Sequence, residues 1–265
     1  MIRQVIAMNQ NERRNYLINA LLDENVSYRG MDIPDEEGEQ KRLLRSLMNI
    51  RMPKPISDEF LKLQDEYLKE ELGKKHITML DELEELQPGI CVWQGDITTL
   101  KAGAIVNAAN SGMTGCYQPC HACIDNCIHT YAGIQLRLKC ADIMEKQGYE
   151  EPTGQAKITP AYNLPCDYVL HTVGPIIYDR VTKEDERLLA SCYENCMRLA
   201  AEHGVESIAF CCISTGVFRF PNDQAARIAV DTVKECMIKY KGIKKVVFNV
   251  FKDVDLKIYS KLLGC

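Results

Sequence analysis

The chain lacks any apolar run approaching the roughly 18 residues that a membrane-crossing helix needs, and no basic stretch followed by an apolar one opens it. Both absences argue against an anchor or a secretion signal and make the cytoplasm the expected compartment. An excess of positive charge is missing too: 32 Lys and Arg face 37 Asp and Glu, which argues against a nucleic-acid partner. Cysteine is absent from residues 1 to 86, and all 13 cysteines lie from Cys91 onward. An odd number of thiols in such a chain reads as reduced side chains, some of them on a metal, and not as a disulfide framework. There is no internal repeat and no low-complexity segment.

What is present is an ordinary folded composition, 46% apolar and 26% charged over 265 residues, enough to bury a sizeable core. Charge divides where cysteine does. Residues 1 to 86 hold 18 acidic and 13 basic side chains against 19 of each in the remainder, so the net −5 belongs to the first region. A boundary is expected near Gln87-Pro88-Gly89, dividing a helical N-terminal extension (1–86) from a main domain (87–265). In the extension, Ser57-Asp58 can cap a helix with the stripe Phe60, Leu63, Tyr67, Leu68 and Leu72. Leu43, Leu44, Leu47 and Met48 mark an earlier one. No catalytic constellation stands out there, and the extension is expected to pack on the main domain.

From Ile90 onward, strand and helix patterns alternate. Strands are expected at Ile90 to Trp93, Ala104 to Asn107, Lys157 to Ala161, Tyr168 to His171, Ser207 to Ile213 and Lys245 to Val250, several of them continuous apolar runs suited to a sheet covered on both faces. Leu188, Cys192, Cys196 and Leu199 mark one helical face; Ala225, Ile228, Val233, Cys236 and Tyr240 mark another after Pro221. Such alternation predicts an α/β fold with a mostly parallel or mixed sheet between two helical layers. Ligands of such sheets bind in loops beyond the strand C-termini, where Gly95-Asp-Ile-Thr98, Asn107-Ala-Ala-Asn110 and Ser214-Thr-Gly-Val-Phe218 lie.

Between Asn110 and the run from Ile128 to Gly133 sits an insert containing Cys116, Cys120, His121 and Cys123. Thiolate and imidazole are ligands Zn2+ favours, and Cys-x4-His-x-Cys spacing can bring three of them to one ion, leaving a coordination position open. On spacing alone Cys120 and Cys127 compete for the same role. Cys192, Cys196, Cys211, Cys212 and Cys236 follow element periodicity and read as small core residues; His129 and His171 lie in apolar contexts and read as structural.

Taken together and in order, Gly95 to Thr98, Ala104 to Asn110, Cys127 to Gly133, Thr153 to Thr159, Val169 to Pro175 and Cys212 to Phe218 resemble the macrodomain family, over residues 90 to about 260. The Cys116 to Asp125 insert resembles that family's zinc-containing bacterial branch. This resemblance implies a three-layer α/β/α macrodomain sandwich with a mixed, mostly parallel central sheet, and a pocket for ADP-ribose. It gives Asp96 the adenine amino group with the Ile97 backbone beside it, and Asn107 and Asn110 the distal ribose. Ser214, Thr215, Gly216, Val217 and Phe218 become the diphosphate loop, and Phe251 the aromatic neighbour of adenine, with Phe248 the alternative by strand parity. It also implies one Zn2+ per chain on Cys116, His121 and Cys123, and Asp125 and Asn110 as catalytic residues. The activity implied is zinc-dependent hydrolysis of the glycosidic bond joining ADP-ribose to a mono-ADP-ribosylated protein. Its rivals are a non-catalytic ADP-ribose reader with structural zinc and an O-acetyl-ADP-ribose deacetylase. The implied setting is bacterial, with a sirtuin-like ADP-ribosyltransferase and a lipoyl-carrier protein as partners, and with neither nucleic acid nor membrane.

Overall fold

The computed structural model describes residues 8–264. Three helices, α1 (Gln10–Asp23), α2 (Glu37–Ile50) and α3 (Asp58–Gly73), form the extension. Asn9 opens α1 with a reciprocal cap, its side chain accepting from the Glu12 amide while its own amide donates to the Glu12 carboxylate. Ser57 caps α3 as expected, accepting from the Phe60 amide at 3.2 Å, which satisfies one of the free N–H groups at a helix start. Leu17, Ile18, Leu44, Leu47, Phe60 and Tyr67 meet between the three helices in a small core of their own. Each such side chain, fully buried, contributes about 1.5–3 kcal/mol.

Next come β1 (Thr78–Met79), β2 (Glu85–Gln87), β3 (Ile90–Gln94), β4 (Leu100–Lys101) and β5 (Ala104–Ala108). They are followed by α4 (Ile124–Ala132), α5 (Ile134–Gln147), β6 (Ala156–Pro160), β7 (Tyr168–Thr172) and α6 (Lys183–Glu202). The chain closes with β8 (Ser207–Phe210), α7 (Asn222–Lys239), β9 (Lys245–Val250) and α8 (Asp253–Leu263). Seven strands form one sheet in the order β2-β3-β9-β8-β5-β7-β6, antiparallel at its two outer pairs and parallel at the four inner ones. β1 and β4 pair separately in parallel. The helices α6, α7 and α8 pack together on the sheet, and α4 and α5 form a second layer against β5 and β6. Ala104, Ile105 and Val106 of β5 are wholly buried, as a strand covered on both faces requires. This is the α/β/α sandwich with a mixed, mostly parallel sheet that the resemblance implies, with the helical region before it.

Three expectations shift in detail. The strand anticipated to run to Ile213 ends at Phe210, because β9 pairs with it only as far as Phe248 and Cys211 to Ile213 leave the ladder to enter the next loop. On α6 the buried face is Leu189, Cys192, Tyr193, Cys196, Met197 and Ala200, one residue round from Leu188. Pro88 and Gly89 form the turn between β2 and β3, so β2 lies within the main sheet.

The extension is joined to the main domain through polar contacts around one apolar residue, Ile134, which belongs to the small helical core. Gly133, at φ 96°, begins α5 where a Cβ would meet the side chains of Gln135 and Gln64 at 2.5 and 2.6 Å. Gln64 is fully buried, accepts the Ile134 amide at 3.0 Å and donates to the Gln135 side chain at 2.6 Å. Gln64→Leu leaves that helix-start N–H unpaired and is expected to cost about 1–3 kcal/mol. Chemical denaturation reads this directly; a change under about 0.5 kcal/mol, or separate unfolding of the extension, would contradict it.

Candidate active site

Because β3, β9, β8 and β5 are neighbours and parallel, the loops after them line one edge of the sheet. This edge gathers Asp96 to Thr98, Phe251, the 214 to 218 loop and Asn107 to Asn110. Asp96 caps a single 3-10 turn, one carboxylate oxygen accepting from the Thr98 amide at 3.0 Å and hydroxyl at 2.6 Å. Its other oxygen faces Lys75 at 3.4 Å on the exposed side. Ile97 beside it is buried. Phe251 projects from the end of β9 at 83% exposure, whereas Phe248 lies in the core, stacked on Tyr259 at 4.9 Å. Only Phe251 is therefore open to a ligand.

The 214 to 218 loop is wound tightly on itself. Ser214 and Arg219 hold positive φ angles of 64° and 62°. The Phe220 amide returns to the Ser214 carbonyl, and Thr215 Oγ1 donates to the Cys212 carbonyl. Gly216 and Val217 stand exposed at the tip, Phe218 is half-buried, and its carbonyl accepts from the Ile177 amide at 2.8 Å. Ser214 Oγ is buried without a partner.

Asp125, in the first turn of α4, is the buried charge of this edge at 4% exposure. Asn107 Nδ2 donates to it at 2.8 Å, and Asn110 Nδ2 lies at 3.4 Å from its other oxygen. Burial pushes the Asp125 carboxyl up to about 6, against the Asn107 hydrogen bond and the Arg137 charge. Asn107 is fully buried; it supports Asp125 from below, while Asn110 is exposed on the cleft side. The two asparagines are therefore placed differently, although the sequence pairs them.

In the loop before α4, Cys116, His121 and Cys123 bring one ligand atom each to within 4.8 Å of one another. Cys116 Sγ and His121 Nδ1 stand 3.7 Å apart. A tetrahedral ion with Zn–S of about 2.3 Å and Zn–N of about 2.0–2.1 Å separates its sulfur and nitrogen ligands by about 3.6 Å, so the donor set fits zinc. Burial, with Cys116 close by, pushes the Cys123 thiol up to about 12 against the Asn126 amide that it accepts; a bound cation reverses that direction, since the thiolate is the ligand. Cys120 turns away, its sulfur 3.2 Å from Ser46 Oγ and 3.5 Å from the Arg42 carbonyl. Cys127 lies beside Arg45.

Comparison with known proteins shows the family. A family model described as Macro domain matches residues 106–229. The chain is 61% identical over 261 residues to a protein-ADP-ribose hydrolase of Treponema medium, covering 97% of this chain and all of that one. The chain belongs to the macro domain family. It is also 49% identical to a protein-ADP-ribose hydrolase of Staphylococcus aureus strain MSSA476, over 94% of each chain. Among solved structures it is similar to the Trypanosoma brucei macrodomain in complex with ADP-ribose, with 27% identity, a TM-score of 0.65, and 83% of this chain and 95% of that one covered. The Oceanobacillus iheyensis macrodomain with ADP matches at 34% identity and a TM-score of 0.60, over 68% of this chain and 93% of that one.

Two histidines that read as structural lie directly beneath this macrodomain's site. His129 Nε2 is 3.6 Å from Asp125, and both of its ring nitrogens are buried without a hydrogen-bond partner. His171 Nδ1 faces Asn107 Nδ2 at 3.2 Å and its Nε2 faces Thr159 Oγ1 at 2.9 Å. With Cys140 these two rings form a second compact group of possible ligand atoms, but His171 is already engaged on both sides, as a hydrogen-bonded core residue is. Burial holds His129 well below the ordinary imidazole range, and holds His171 at about 4. In the unfolded chain both take up a proton below about 6.5.

The unfolded state therefore binds more protons across that interval, and stability is lost as pH falls from about 6.5 towards 4. For His171 alone this is worth on the order of 3 kcal/mol. Asp125, raised, acts in the opposite sense, so the comparison must be with a variant. The urea midpoint of His171→Gln is expected to fall less steeply than that of the unsubstituted chain between those limits; parallel pH profiles would refute the assignment.

Proposed function

We propose that this chain is a zinc-dependent protein-ADP-ribose hydrolase, cleaving the bond between the distal ribose and a mono-ADP-ribosylated protein. The observation that carries the reading is the placing of a three-donor group, Cys116, His121 and Cys123, at the mouth of the helix whose first turn holds the buried Asp125. Support comes from the protein-ADP-ribose hydrolases of Treponema medium and Staphylococcus aureus, to which the chain is similar over nearly its whole length. The pocket edge accommodates the ligand in this order: Asp96 and the Ile97 backbone take the adenine amino group with Phe251 against the ring, the Ser214 to Phe218 loop offers backbone N–H groups to the diphosphate, and Asn110 holds the ribose.

In the reaction the glycosidic bond at the distal ribose breaks, a water oxygen takes its place, and the departing acceptor atom gains a proton. Asp125, fixed by Asn107, orients the water or a ribose hydroxyl and receives or returns that proton. Asn110, between Asp125 and the Gly115 carbonyl, restrains the sugar. Zinc held by Cys116, His121 and Cys123 would supply Lewis acidity towards a ribose hydroxyl or the linkage oxygen. Burial of Asp125 strengthens its interactions by keeping bulk water away.

A reader with a closed structural zinc needs a fourth protein ligand, and the contacts of Cys120 with Ser46 and Arg42 speak against that residue supplying it. A deacetylase acting on O-acetyl-ADP-ribose shares the pocket and is separated by direct comparison of the two substrates. On the family resemblance, the modified protein is a lipoyl carrier marked by a sirtuin-like transferase in the cytoplasm.

Cys116→Ala and His121→Ala are expected to lower turnover at least 100-fold, within the span seen when a catalytic group is removed, while ADP-ribose affinity persists. A strong chelator should have the same effect, reversed by added zinc. Release of ADP-ribose that ignores both substitutions and chelator would overturn zinc catalysis; binding without turnover on any linkage would turn the reading to a reader.

A further inference from the structure

The loop from Ala109 to Cys123 carries all three candidate ligands and has no helix or strand of its own. Its shape must therefore be imposed from outside, and much of that restraint comes from α2 of the N-terminal extension. Arg42, Arg45, Ser46 and Asn49 recur at helical spacing on one side of α2, and all four contact this loop. Arg45 Nη2 donates to the His121 carbonyl and to Asn126 Oδ1, each at 2.9 Å. The Cys120 amide, immediately before His121, donates to Asn49 Oδ1 at 2.9 Å, while Asn49 Nδ2 donates to Thr130 Oγ1 on α4. Asn126 returns to the same loop, its amide reaching the Gln118 carbonyl at 2.9 Å and the Cys116 carbonyl at 3.4 Å.

Arg137 of α5 closes the arrangement from the other side. Only 5% exposed, it donates through Nη1 to the Met48, Asn49 and Arg51 carbonyls at the end of α2. Through Nε it holds the Thr114 carbonyl at 2.7 Å, and its Nη2 lies 3.5 Å from the Cys116 carbonyl. A cation at a helix C-terminus is favourable in itself; here the same guanidinium ties that terminus to the metal loop. Tyr117 stacks on it with 4.3 Å between guanidinium and ring centre.

We propose that Arg45, Asn49 and Arg137 are positioning residues for the Cys116, His121 and Cys123 group, which makes the extension a component of the metal centre. The proposal rests on the zinc reading given above. Groups that orient metal ligands without touching the metal typically change metal affinity or activity roughly 10- to 100-fold when removed.

The test uses Arg45, which is half-buried beside a surface groove, and Asn49, which is buried but carries no charge whose loss would leave several carbonyls unpaired, as the loss of Arg137 would. Full-length Arg45→Ala and Asn49→Ala are prepared metal-free and compared with the unsubstituted chain. Zinc affinity is read by competition with a chromophoric chelator, and ligand geometry by the visible absorption of the Co2+ form. Expected are roughly 10- to 100-fold weaker zinc binding and a changed Co2+ band in both variants, with ADP-ribose affinity retained, and with metal-free melting little altered in Arg45→Ala and lowered in Asn49→Ala, which leaves the Cys120 amide unpaired. Arg45→Lys, which restores one donor, should recover part of the loss. Unsubstituted zinc affinity and Co2+ spectrum in both variants would overturn the positioning role alone. Failure of the unsubstituted chain to take up either ion would overturn the zinc reading, and this proposal with it.

Discussion

A carboxylate removed from water is the constraint on which the rest of this site depends. Asp125 would be costly at its depth without donors aimed at it, and its main donor is fixed by sheet register. Asn107 and His171 are directly paired across the parallel strands β5 and β7. With the imidazole neutral, Nδ1 accepts from the Asn107 amide and Nε2–H donates to Thr159, so the hydrogen bonds define the tautomer. That leaves the Asn107 amide nitrogen directed at Asp125 and its oxygen buried without a partner. A core residue on a neighbouring strand thus decides how a carboxylate at the cleft is presented.

The second dependence runs between two cores. The sheet core and the three-helix core share little apolar surface beyond Ile134, and apolar contact alone does not fix an angle between layers. Directional groups do so instead. Gln64 and Asp65 of α3 hold the start of α5 and the Asn163 side chain, while Arg137 holds the end of α2. Because these bonds are buried, moving the extension would orphan several donors at once, each costing about 1–3 kcal/mol. Its surplus of acidic charge sits mostly on the exposed side of this arrangement, and the residues that join it to the sheet domain are the polar ones facing inward.

Sequence reasoning reached the fold through the features that are local. Continuous apolar runs marked the inner strands, Ser57 marked a helix start, and Cys116, His121 and Cys123 stood at a spacing that chemistry recognises. It failed where a contact spans the chain. Nothing in the helical run around Leu136 and Leu138 distinguishes Arg137 from a solvated arginine, since its partners lie in α2 and in the loop before α4. Asn107 and Asn110 looked equivalent because both are amides at a strand end; only Ala108 and Ala109 separate a buried support from an exposed one. Cys120 competed with Cys116 on spacing, and what separates them is backbone geometry: Cys120 sits at φ 51°, a left-handed conformation that swings its sulfur towards α2.

That conformation connects the loop to its energetics. Left-handed backbone is unfavourable for a residue with a Cβ, and ordering an irregular loop costs about 1–2 kcal/mol per residue in backbone entropy. If metal ligation alone had to meet those costs, affinity would be spent on folding the loop. Asn49 holds the strained amide of Cys120, Arg45 the carbonyl of His121, and Arg137 the carbonyls of Thr114 and Cys116. Those restraints order the backbone before any ion arrives, which is preorganisation in its plain thermodynamic sense. A Cys/His loop of this length and a helical layer packed behind it are therefore parts of one solution, in which the extension supplies the rigidity that the loop sequence does not.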